Sequence, residues 1–250
     1  MGLVGPEVLN DLEKGNAEIA DAVAACDILE IRYDWFQDTK TWPGISARLR
    51  KAAPKQLQLG TIRLAEDGGK LENSKAPERL DQWKAILAEA EVPNILDIEY
   101  NHVDQFQRVQ ALAKSKDVDL IISTHDFTGI PDDEDMDSLV QIAQYLNASG
   151  VKIAAMSVEL GDTAPLYKFL KRNAKKFKYC AAFAMGETGQ ASRIATLQKG
   201  GNLSYGSFGE SNVPGQISVT KMREILKKLP STASESLIFE ILGKNFDFSE

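Results

Sequence analysis

Two residues stand where their types are costly or scarce. Lys152 lies inside an apolar run, Val151–Met156 (VKIAAM), and a lysine in a core is costly unless it is paired or neutral. His125, one of two histidines in 250 residues, closes the run Asp119–Asp126 (DLIISTHD). Each has a bland reading: the lysine in a buried ion pair or snorkelling to a strand end, the histidine as a satisfied polar residue. Each also has a chemical one. A desolvated amine among cationic neighbours can attack a ketone and form a Schiff base. An imidazole titrating near neutrality can move the protons that such a reaction needs. Asp126 could fix the His125 tautomer, although adjacent strand residues point to opposite faces. His102, in YNHVD, reads as a surface or supporting residue.

Groups of related chemistry recur at the ends of other apolar runs. Glu30 and Arg32 alternate within ILEIRY, and Arg63 ends QLQLGTIR ahead of Asp67-Gly68-Gly69. Met185 ends YCAAFAM, and Arg193 lies just beyond it. The arginines can be salt-bridge partners of Glu30 and other acids. Three planar forks on one rim would also match a carboxylate or a pair of hydroxyls. The segment SFGESNVPGQ (207–216), with Gly206, Gly209 and Gly215 in and beside it, has the flexibility of a lid.

The elements that must position these groups follow from periodicity. Strand-length apolar runs cover Ile28–Tyr33, Gln56–Arg63, Ile95–Tyr100, Asp119–Asp126, Val151–Met156, Tyr179–Met185 and Asn202–Phe208. They recur roughly every 30 residues, the length of a βα unit. Helical patterns fill the gaps: Pro6–Ala25, Pro43–Ala53, Pro77–Glu91, Val103–Ser115, Asp135–Asn147, a helix opened by Asp162-Thr163-Ala164-Pro165, Gly189–Gln198 and Gly215–Lys228. Alternating strands and helices mean a parallel sheet. Eight helices favour one α/β domain over residues 1–250, a (β/α)8 TIM-type barrel, over an open sheet. No GxGxxG or GxxxxGK[ST] follows the first strands, which weakens nucleotide binding. Seven strong strands against eight helices leave the first strand short or replaced. Either Gly2–Gly5 is a trimmed strand and the tail packs as a helix outside the barrel, or Ser236–Leu242 (SLIFEIL) fills the first slot as a strand; the role of residues 230–250 is otherwise open. In such a barrel functional groups gather at the C-terminal ends of the strands, which places the lysine, the histidine and the arginines on one mouth.

Composition narrows the partners. With 43% hydrophobic and 26% charged residues the chain can bury a sizeable core. A net charge of −7 argues against non-specific binding to nucleic acid or anionic membranes. It leaves room for a small anion held by local arginines. Cys26 and Cys180 sit in separate apolar segments and read as buried free thiols. No run approaches the ~18 apolar residues of a membrane span and no signal-peptide pattern opens the chain; a cytoplasmic protein is expected.

At these residues the sequence resembles the type I 3-dehydroquinate dehydratases, Schiff-base-forming barrel enzymes of the shikimate pathway. The resemblance runs roughly over residues 20–220. It rests on EIRYD (30–34), GTIR (60–63), STHDF (123–127), VKIA (151–154), FAMGETGQASR (183–193) and VPGQIS (213–218). It implies a hydro-lyase and homodimer that needs neither metal nor organic cofactor. Lys152 would condense with the ketone of 3-dehydroquinate, and His125 would act as general acid and base. Arg193 would clamp the substrate carboxylate. Glu30, Arg32, Arg63 and Gln216 would hold hydroxyls and order the mouth, and Met185 would pack against the ring. Asp67 stands where the family usually has a glutamate that orients the histidine. Asn212, with Ser211 beside it, stands where the family usually has a serine. Two other readings stay open: a Schiff-base aldolase-type lyase, which would need a glycine-rich phosphate nest near strands seven and eight, and an inactive barrel used for binding.

Overall fold

Alternation along each strand divides the apolar residues between two surroundings. In the computed structural model, which describes residues 1–209, 215–230 and 233–244, seven parallel strands pair in sequence order. They are β1 (Gly2–Val4), β2 (Ile28–Arg32), β3 (Leu57–Thr61), β4 (Ile95–Glu99), β5 (Asp119–Asp126), β6 (Gly150–Met156) and β7 (Tyr179–Met185). One face of the sheet contributes Leu29, Ile31, Leu96, Ile98, Ile122, Val151, Ile153 and Ala182 to a core shared with the helices. The other face contributes Ile28, Leu59, Ile95, Ile121, Ala181 and Phe183 to a second cluster, completed by Leu203 and Tyr205. Strands buried on both faces are what a parallel α/β sheet requires.

The helices are α1 (Pro6–Glu13), α2 (Ala17–Ala24), α3 (Trp42–Ala52), α4 (Arg79–Ala88), α5 (Val103–Ala113), α6 (Asp133–Tyr145), α7 (Ala164–Asn173), α8 (Ser192–Gln198), α9 (Val219–Lys228) and α10 (Glu235–Ile241). The pattern expected as one helix over Pro6–Ala25 is two. Gly15 adopts φ +74°, and the Asn16 side chain accepts from the Glu18 and Ile19 N–H groups to start α2 afresh. The helix expected from Gly215 begins at Val219, because Ser218 caps it by accepting from the Lys221 N–H.

The eighth strand differs from expectation. Residues 202–208 make isolated parallel bridges, Gly2 with Gly206 and Ser207 with Ser218, in place of a ladder. The Asn202 side chain takes over part of the pairing with β7: its Oδ1 accepts from the Cys180 N–H and its Nδ2 donates to the Lys178 carbonyl. On the other side the Gly206 N–H donates to the Met1 carbonyl at 2.9 Å. The segment thus spans the gap between β7 and β1, and the short strand Gly2–Val4 fills the first slot.

Ser236–Leu242 does not insert as a strand. Most of it forms α10, capped by Ser234. Ile238 and Phe239 of α10 pack on Ala191, Ile194 and Ala195 around α8, and Glu235 accepts from Thr163 Oγ1 at 3.0 Å and from the Tyr167 hydroxyl.

Behind β3 the chain turns through Asp67 with little room. Gly68 takes φ +79°, and a Cβ on Gly69 would stand 2.0 Å from the Arg63 carbonyl oxygen. Gly69→Ala is expected to cost ~2 kcal/mol through overpacking. For a chain of this size that lowers Tm by ~5 °C, as a thermal melt would register.

Candidate active site

The barrel interior is layered by alternation. On β4 the inward positions read Ile95, Asp97, Glu99; on β5 they read Ile121, Ser123, His125. The apolar residues of the lower level form a floor, and the polar residues above it surround a cavity of about 260 Å³ at the strand C-terminal ends. Lys152, His125, Glu30, Arg32, Arg63, Asp67, Met185, Arg193 and Gln216 all line it. The fold therefore collects every site residue expected from the sequence except Asn212, which lies outside the described residues.

Ser123 on β5 pairs in register with Lys152 on β6, and His125 with Ala154. Strand spacing then sets the His125 and Lys152 Cα atoms about 8 Å apart, close enough for two side chains to meet one small molecule. Lys152 is buried at 4% exposure, and its amine faces the polar layer. That amine donates to Asp97 Oδ2 at 3.2 Å and lies 4.4 Å from the centre of the Tyr205 ring. The bland reading holds, because the lysine is ion-paired, and the side chain also faces the cavity, as the chemical reading requires.

Asp97 is the hub of the charged layer. Arg63 Nη2 donates to its Oδ2 at 2.7 Å, and the Ser123 hydroxyl donates to its Oδ1. Arg63 Nη1 donates to Ser123 Oγ at 2.9 Å and pairs with Glu99 at 3.4 Å. Glu99 is in turn bonded by Arg79, at the start of α4. Burial alone would raise the Asp97 pKa, but Arg63, Lys152 and the Ser123 hydroxyl hold it well below the usual carboxylate range. Burial works against the Arg63 charge as well, and Asp97 and Glu99 more than offset it.

His125 is kept neutral. Burial, Arg63 and Lys152 push its pKa well below the ordinary value, with Asp97 opposing. Its Nδ1 lies 3.8 Å from Asp67 Oδ1, too far for a direct hydrogen bond. Both Nδ1 and Asp67 Oδ2 are buried without a partner. One water would span such a gap. Asp126 plays no part here, because it faces the other way and caps the turn by accepting from Thr128 and Gly129.

The three arginines differ. Arg63 is satisfied by acids. Arg32 pairs with Asp34 at 2.8 Å, not with Glu30, and lies over the Trp35 ring at 4.7 Å. Arg193 makes no ion pair among the described residues; its guanidinium lies 4.9 Å from the centre of the Phe183 ring, and its Nε is unpartnered. Burial lowers its pKa to about 10, so it stays charged at neutral pH. Glu30 is almost fully buried, with its carboxylate beside the same cavity.

Asp97, Glu99, Ser123, Arg79 and Tyr205 were not anticipated. A signal existed for the first two: acids at alternate positions in ILDIEY, both on the inward face. At the rim, Glu66, Asp67 and His102 offer ligand atoms within 4.8 Å of one another, a set from two distant loops in a sequence that reads as free of metal-ligand clusters. His102 Nε2 and Glu66 Oε1 are already hydrogen-bonded at 2.8 Å. Cys26 and Cys180 are buried free thiols, as expected.

The fold and the cavity define a class: a (β/α)-barrel enzyme with a buried amine and a neutral imidazole at the strand C-terminal ends. The chain belongs to the Type I 3-dehydroquinase family, which it matches over residues 6–232. A catabolic 3-dehydroquinate dehydratase of Acinetobacter baylyi is 31% identical over 214 residues, covering 82% of this chain and 77% of that enzyme. The 3-dehydroquinate dehydratase of Escherichia coli O9:H4 is 29% identical, covering 80% and 81%. A type I 3-dehydroquinate dehydratase of Clostridium difficile, solved with covalent modified comenic acid, superposes with TM-score 0.79 at 27% identity, covering 93% of this chain and 92% of that one.

Burial and the neighbouring Glu99 raise the Asp67 pKa to about 6. Above that pH the carboxylate is ionised and can accept, through a bridging water, from a His125 Nδ1–H; below it the carboxyl is neutral and holds the imidazole less well. In the wild type kcat/KM is expected to rise with pH through about 6. Asp67→Asn should remove that limb and lower kcat about tenfold, ~1.4 kcal/mol in barrier. An unchanged pH–rate profile in the variant would separate Asp67 from His125.

Proposed function

We propose that this chain dehydrates 3-dehydroquinate to 3-dehydroshikimate through an imine at Lys152. The Lys152 amine attacks the C3 ketone, water departs, and an iminium forms as an electron sink. His125 removes the C2 proton that the iminium has acidified. The same residue returns a proton to the C1 hydroxyl, which leaves as water. Hydrolysis then frees the product from Lys152.

The observation that carries this reading is the shared cavity. A buried amine and an imidazole held neutral open onto one space with an arginine that has no acidic partner among the described residues. A neutral imidazole is ready to accept a proton at pH 7. A buried guanidinium without a counter-ion is costly, and a substrate carboxylate on Arg193 would relieve that cost. Glu30, Arg32, Arg63 and Gln216 are then placed for the hydroxyls, Met185 for the ring, and Asp67 for orienting His125. Asn212 keeps its proposed substrate contact on the resemblance alone. The proposal extends, on the same resemblance, to a homodimer acting in the cytoplasm on this small anion. It engages neither nucleic acid nor membrane; among the described residues no helix is long and apolar enough to cross one.

Incubation with 3-dehydroquinate should produce the enone absorbance of the product. Borohydride added with substrate should leave a covalent adduct that peptide mapping places on Lys152. Lys152→Ala should abolish both, and full activity in that variant would refute the imine. His125→Ala should keep the fold and lose at least ~100-fold in rate; a near-normal rate would make His125 structural. Arg193→Leu should raise KM by roughly 10–100-fold, the worth of one hydrogen-bonded charge, as steady-state kinetics would show.

A further inference from the structure

Lys152 has one acid in contact among the described residues, Asp97. That carboxylate is fixed before any ligand arrives. Arg63 and Ser123 hold it from the β3 and β5 sides, and its side chain has no exposed surface. Its low pKa keeps it ionised throughout the working pH range, so it neither supplies nor takes protons. What it offers is a fixed negative charge 3.2 Å from the nitrogen that reacts.

The reaction proposed above makes a specific demand on that position. Ammonium plus ketone gives iminium plus water; the nitrogen keeps one positive charge and one N–H. In a buried site ringed by Arg63, Arg32 and Arg193, an iminium without a counter-ion would be strongly disfavoured. We propose that Asp97 is a positioning residue and the counter-ion of the Lys152 imine, staying beside the nitrogen as ammonium becomes iminium. This rests on the imine reading. The N–H that survives condensation donates to the carboxylate that the ammonium used. The nitrogen is thereby held in one place while its substituent changes. The tether explains why the acid must be anchored from two other directions: a carboxylate free to turn could follow Arg63 and leave the nitrogen uncovered.

Asp97→Asn keeps the shape and removes the charge. With 3-dehydroquinate it should lose ~100-fold or more in kcat, the scale of a deleted electrostatic contact. KM should stay within about threefold, because binding of the substrate carboxylate is left to Arg193. At saturating substrate the borohydride-trapped fraction, read by mass spectrometry, should fall at least ~10-fold, and Asp97→Glu should recover part of it. Wild type is trapped in parallel. No adduct in wild type sinks the imine reading itself. Equal adduct in wild type and Asp97→Asn leaves the imine and overturns the counter-ion. If a thermal melt shows that Asp97→Asn does not fold, Ser123→Ala decides, since it removes one anchor and keeps both charges. A kcat loss of about tenfold at unchanged Tm supports the role, and an unchanged kcat overturns it.

Discussion

The carboxylate of Asp97, sealed inside the barrel, is the constraint to which the charged layer answers. A buried anion must be matched, and Arg63 and Lys152 match it. A buried Arg63 must then be shared with a second acid, Glu99, and Glu99 recruits Arg79 from the outer helix layer. The result is a run of alternating charges from the cavity to α4: Lys152, Asp97, Arg63, Glu99, Arg79. Buried pairs of this kind return little net stability, because desolvation offsets their attraction, but breaking one member leaves an uncompensated charge. The network is best understood as a device for placement. It holds one amine at a fixed depth above an apolar floor made by the same strands one alternation lower.

Placement also sorts the cations by what they can still bind. Arg63 already has its charge matched by Asp97 and Glu99, and leaves only its remaining N–H groups for hydroxyls. Arg32 is divided between Asp34 and the face of Trp35, which Lys70 also approaches at 5.5 Å. Arg193 alone of the three rests on an aromatic ring without an acid. A negative net charge for the chain and an unsatisfied positive site in its barrel are compatible, because a desolvated guanidinium acts over a few ångströms and the surface charge is screened. In the proposed reaction the selectivity for a small anion would be local.

The legible parts of this site were those where a side chain contradicts its surroundings. Lys152 in VKIAAM and His125 after LIIST are anomalies in any strand, and alternation predicts the face that each occupies. Asp97 and Glu99 broke the same rule in ILDIEY, yet the run reads as a strand on its aliphatic members. What alternation cannot show is the partner. Asp97 and Lys152 are 55 residues apart, and their contact depends on the stagger of three strands. Local chemistry that competes with the ladder was equally hidden. The Asn202 side chain substitutes for backbone pairing in the eighth slot, and Gly15 with Asn16 splits a helix whose apolar pattern runs through. SLIFEIL has too few residues for periodicity to separate strand from helix, and the Ser234 cap decided it.

The shift of charge during turnover gives the Asp97 position a second consequence. In the proposed reaction the iminium nitrogen is positive and His125 neutral before the C2 proton moves. Afterwards the nitrogen belongs to a neutral enamine and the imidazole is cationic. Net charge is unchanged, but its centre moves from the β6 side chain to the β5 side chain. Asp97 acts on both: it pairs with Lys152 directly, and it opposes the burial and the cations that depress the His125 pKa. A fixed anion that acts on both groups keeps either location of the charge from being heavily penalised, so the proton can travel in both directions. Asp67, at 3.8 Å and partly protonated near pH 6, is too loosely coupled to do this alone. In the proposed reaction the anchored Asp97 would balance the charge, and Asp67 would orient the ring.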